Sequence, residues 1–116
     1  ASGPAPKVHE VVPSPDGQWQ LTQVERHPDD PGLKGTTWQL LLGPVGMPPD
    51  SAKPVFDAQD LVPTATWRTA DSVDIVATGP AERLTALPTS WHTMNTVLGR
   101  DGQRHSFAFA VVAKAR

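Results

Sequence analysis

A chain of 116 residues and 12.4 kDa can bury one core without covalent staples, so a single β domain is expected over residues 7–116 behind a disordered leader, 1–6. Zero cysteines exclude disulfides, thiolate metal sites and thiol nucleophiles. Ten scattered Lys and Arg within a net charge of −2 form no cluster that could neutralise a phosphate backbone, so nucleic acid is not expected as a partner.

Ala1-Ser2-Gly3-Pro4-Ala5-Pro6 has the small-residue and proline composition of a spacer behind a removed signal peptide, or behind a lipid-anchored residue of a precursor. That reading places the protein in the periplasm or outside the cell. An expression scar fits the same residues equally well and leaves the cytoplasm open. No apolar run approaches the roughly 18 residues of a membrane-spanning helix, so no transmembrane segment is expected.

Lys7 to Val12 reads as a first strand, ended by Pro13. Ser14-Pro15-Asp16-Gly17 follows as a tight turn. Pro15 pre-sets φ, Asp16 can bond the turn backbone, and Gly17 accepts a positive φ. The second strand, about Gln18 to Arg26, is anchored by Trp19, and its alternation slips near Thr22-Gln23, where a bulge would restore the register. His27 to Gly32 is a loop by composition. Thr36 to Gly43 is the cleanest strand, with Trp38, Leu40 and Leu42 on one face and Leu41 predicting burial on the other. Pro54 to Asp57 reads as a short edge strand. Thr64 to Arg68, carrying Trp67, turns at Thr69-Ala70-Asp71-Ser72 into a strand running to about Thr78. Gly79-Pro80 stops that strand, and Ala81 to Leu87 allows one helical turn. Ser90 to Leu98 and Arg104 to Ala113 then flank an Asp101-Gly102 turn as a hairpin. In it, residues whose numbers sum to about 202 face each other. His105, Phe107, Phe109 and Val111 share one face of the last strand, and the small residues opposite suit a central position. The expected fold is all-β: an antiparallel meander of seven or eight strands forming a sandwich or small barrel.

Trp67 to Ile75 echoes the opening turn and strand, with Asp16 and Asp71 71 − 16 = 55 positions apart. The Ser14-Pro15-Asp16-Gly17 turn resembles the blade repeat of TolB-like and other Ser-Pro-Asp-Gly β-propellers over residues 13–78. The chain is too short for a closed propeller, so the resemblance implies one blade-like meander that displays loops for binding, as in small bacterial secreted or lipoprotein domains. It implies no catalytic residues.

Candidate functional residues are few. His27, Asp29 and Asp30 concentrate imidazole and carboxylate in one loop, but their spacing matches no metal loop, and solvated loop charge is the simpler reading. His92 and His105 lie on opposite hairpin arms and would meet only in a shifted register. No nucleophile elbow, zinc-helix motif or Walker loop is present, and neither a metal site nor a cofactor is expected. Trp19, Trp38, Trp67 and Trp91 are core anchors by default. Trp91 differs, since Thr93 and Asn95 continue its face. An exposed Trp beside His92 and Arg100 would have the composition of a binding hot spot. The sequence therefore points to a non-enzymatic extracytoplasmic domain that binds another protein, in the manner of an inhibitor or immunity factor, through the Pro-rich loops 27–35, 43–53 and 79–89. A small metal-dependent enzyme around His27 or His92, or a structural subunit of a larger assembly, are the rival readings.

Overall fold

The computed structural model describes residues 7–26, 36–48, 51–85 and 88–115. The alternation of apolar and polar residues resolves into eight strands. These are β1 (Lys7–Pro13), β2 (Trp19–Arg26), β3 (Thr37–Pro44), β4 (Lys53–Gln59), β5 (Val62–Thr69), β6 (Ser72–Gly79), β7 (Ser90–Leu98) and β8 (Arg104–Ala115). One helical turn, α1 (Ala81–Leu84), separates β6 from β7. The strands form two four-stranded sheets, β1-β2-β3-β4 and β5-β6-β8-β7, packed as a sandwich.

Inward residues of both sheets make one core. Trp19, Leu21, Leu40, Leu42 and Phe56 from the first sheet meet Val73, Ile75, Phe107, Phe109 and Val111 from the second. Each fully buried side chain of that size contributes about 1.5–3 kcal/mol of apolar transfer energy. Gln23 occupies an inward position yet is satisfied, because its Nε2 donates to the Pro63 carbonyl of β5. That bond and the Trp67 Nε1 donation to the Val12 carbonyl at 3.0 Å join the two sheets.

The first sheet is a plain antiparallel meander. The second is not: β6 and β8 run parallel, Ser72 opposite Ala108 through Gly79 opposite Ala115. A parallel neighbour requires a crossover. Here the chain leaves β6, passes through α1, runs back along the outside as β7, and only then enters the gap beside β6. The order follows from side-chain size, because β8 carries Phe107, Phe109 and Val111 inward and so takes the centre. On its outer face Val112 is 39% exposed.

The expected slip in β2 is resolved differently. β2 pairs with β3 without interruption, Trp19 opposite Pro44 through Arg26 opposite Thr37. The bulge lies in β1 instead, between Val8 and Glu10. β2 stays regular because its outer face also takes apolar groups: Val24 is fully buried and stands apart from the core, as does Leu41 of β3. Trp38 is half-buried outside the core cluster, its ring 4.9 Å from that of His9, so it is no core anchor.

Candidate functional site

Three turns gather at one end of the sandwich because β1, β5 and β7 all finish there. The β1–β2 and β7–β8 turns share one pattern of short-range hydrogen bonding around an aspartate and a glycine. In the β1–β2 turn the Gly17 N–H donates to the Ser14 carbonyl at 3.0 Å, and Gly17 sits at φ 73°. The buried Ser14 hydroxyl donates to Asp16 Oδ1 and accepts the Trp19 N–H at 3.1 Å, while the Gln18 N–H donates to Asp16 Oδ1 at 3.1 Å. The β7–β8 turn repeats this arrangement. Gly102, at φ 78°, donates to the Gly99 carbonyl at 3.1 Å, and the Gln103 N–H donates to Asp101 Oδ1 at 2.9 Å. The structural twin of Asp16-Gly17-Gln18 is therefore Asp101-Gly102-Gln103. The β5–β6 turn is built otherwise, with the Thr69 hydroxyl donating to Asp71 Oδ1 at 2.8 Å.

Between these turns lies an open cleft of about 880 Å³. Its floor is aromatic: the Trp19 ring meets Phe107 edge-on at 4.9 Å and His105 at 5.0 Å. Asp16, Asp71 and Asp101 stand on its rim with Arg100 and Arg104. The carboxyl pKa of Asp16 is lowered, first by the Ser14 hydroxyl and then by the Gln18 N–H. That of Asp101 is lowered by the Gln103 N–H and then by the His105 ring, whose Nε2 lies 3.2 Å away. A general acid requires the opposite displacement, so these carboxylates are set for charge and turn geometry rather than proton donation. Arg100 donates through Nη2 to the Val45 carbonyl, tying the hairpin tip to the loop after β3. Arg104 is exposed and makes no hydrogen bond or ion pair with any described residue.

Of the candidate residues singled out in the sequence, Arg100 and His105 line this cleft, and Trp19, named there as a core anchor, forms its floor. Trp91 lies opposite Val111 on the inward face of β7, half-buried and packed against the core. His92 lies opposite Ala110 on the outer face, and His105 opposite Val97 on the inner one, so the two histidines form no pair. His27, Asp29 and Asp30 fall outside the described residues. Among the described residues no group of three His, Asp or Glu is placed to hold a metal ion, and no helix is long and apolar enough to cross a membrane.

Sequence reasoning missed Asp16, Asp71 and Arg104 as neighbours, since their juxtaposition depends on how the two sheets stack. The recurrence of Asp-Gly-Gln was the available signal. Fold and site together define a two-sheet β-sandwich with a charged, aromatic-floored cleft at its turn end. Compared with models of protein families, with curated proteins and with solved structures, the chain finds no match.

Proposed function

We propose that this chain is a non-enzymatic, extracytoplasmic protein-binding module that receives a segment of its partner in the turn-end cleft. The observation that carries the reading is Arg104, exposed and unengaged among the described residues, beside a rigid floor of Trp19 and Phe107. Arg and Trp are the residue types that concentrate binding energy at protein interfaces. The turns around them are held by their own aspartates, so little ordering entropy is lost on binding. The mixed signs on the rim suit a partner segment that brings a carboxylate to Arg104 and a donor to the aspartates.

Affinity capture from extract of the source cells tests this, with wild type compared against Arg104→Glu. One protein retained in stoichiometric amount, and retained at least about tenfold less by Arg104→Glu at an unchanged melting temperature, supports the cleft as the binding site. Retention of nothing, or retention indifferent to Arg104→Glu, overturns it.

A further inference from the structure

Four strands lie at sheet edges, and three of them are defended. β1 carries Lys7, Glu10 and Pro13, β4 carries Lys53, Pro54 and Asp57, and β5 carries Pro63 and Arg68. Charge and proline at an edge discourage pairing with another chain. β7, Ser-Trp-His-Thr-Met-Asn-Thr-Val-Leu, contains neither proline nor any Lys, Arg, Asp or Glu across its nine residues. It also exposes Met94 by 68% and Leu98 by 63%.

The hydrogen-bond phase of β7 follows from its two ends. Gly99 N–H donates to the Gln103 carbonyl at 2.8 Å, and Ala113 N–H donates to the Thr89 carbonyl at 3.0 Å. In an antiparallel pair the bonding residues alternate, so the odd-numbered residues of β7 face β8. Ser90, His92, Met94, Thr96 and Leu98 therefore turn their N–H and C=O groups to the free edge. Lys53 Nζ, donating to the Thr96 carbonyl at 3.0 Å, agrees with this phase. Lys53 leaves room there for a strand, because a carbonyl oxygen keeps a second lone pair.

We infer that β7 pairs antiparallel with β7 of a second copy of this chain, about a two-fold axis at Met94, joining two four-stranded sheets into one. The strand is self-complementary in that register. Ser90 faces Leu98, His92 faces Thr96 and Met94 faces Met94 across the axis, in hydrogen-bonded pairs. Trp91 faces Val97 and Thr93 faces Asn95 on the inward side. No Lys, Arg, Asp or Glu is brought opposite another, and roughly ten backbone hydrogen bonds become available. A closed two-fold interface of this kind satisfies the exposed edge without leaving a new one.

Sedimentation velocity over a micromolar to millimolar range reads the association. The wild type is expected to form a discrete dimer, and Met94→Lys, which sets two like charges face to face at an exposed site, to weaken it at least tenfold. Cross-linking reports the register independently, because the chain has no cysteine of its own. In a hydrogen-bonded pair the two position-94 Cα atoms lie about 5.5 Å apart, within disulfide reach. Two copies of position 96 lie more than about 13 Å apart. Met94→Cys is expected to give a covalent dimer under mild oxidation and Thr96→Cys not. A chain monomeric throughout, aggregation without a discrete dimer, or equal cross-linking of the two variants overturns the inference.

Discussion

Gly79 ends β6 where the β4–β5 connection crosses it, and the substitution Gly79→Ala tests how tightly the two sheets are closed. A Cβ there would stand 2.4 Å from Leu61 Cδ2 and 2.8 Å from the Asp60 carbonyl oxygen. Ordinary carbon–carbon contact is about 3.5–4.0 Å, so Leu61 would have to retreat by about 1 Å. It has little room, being 4% exposed and packed in the core. The Asp60 carbonyl cannot move by a rotamer change, and Asp60 already sits at φ 61°. Overpacking of this sort costs about 1–3 kcal/mol. Against it stands the usual gain of about 0.4–1 kcal/mol from removing glycine freedom in the unfolded chain, since Gly79 itself needs no positive φ. The net expectation is a loss of about 1–2 kcal/mol, read as a drop of about 4–10 °C in thermal unfolding followed by circular dichroism. An unchanged or raised melting temperature would refute the close approach of β6 to the Asp60–Leu61 corner.

Two further expectations concern the residues around the cleft and the hairpin. Trp91→Ala removes a half-buried ring that packs on the core, so it should lower stability by about 2 kcal/mol in urea unfolding; an unaltered midpoint would return Trp91 to the surface. Ser14→Ala leaves the buried Trp19 N–H without its acceptor and should cost about 1–3 kcal/mol at neutral pH. It also removes the largest cause of the lowered Asp16 pKa. Because a lowered carboxylate pKa stabilises above the unfolded-state value and ceases to do so as pH falls through the folded-state value, the wild type should lose stability below about pH 4. Ser14→Ala should lose less over that window, with Asp101 supplying the remaining slope. Melting temperatures from pH 7 to pH 2 that fall in parallel for the two proteins would contradict the role given to Ser14.

Local chemistry made much of this fold legible in the chain itself. The β7–β8 hairpin is the clearest instance: Asp101-Gly102 demands a turn with a left-handed glycine, and the predicted sum of 202 is the observed register, Ser90 opposite Val112 and Leu98 opposite Arg104. The Ser14–Gly17 turn is of the same kind, since every group that builds it lies within five residues. The inward face of β8 was readable because the period of a strand is two and Phe107, Phe109 and Val111 keep it. Tertiary structure decided what depends on distant partners. Whether Val24 signalled a bulge or a second buried face turned on what lies on the far side of the first sheet, and alternation along β2 cannot report that. Thr93 and Asn95 mark Trp91 as partly exposed, but how far the core reaches under it was decided by β8, which places Val111 opposite. Insertion of β8 between β6 and β7 creates a parallel pair that no short-range signal encodes. The cleft has the same origin: its turns are separated by tens of residues, and only the stacking of two sheets with their corresponding ends aligned brings Asp16, Asp71 and Arg104 to one place.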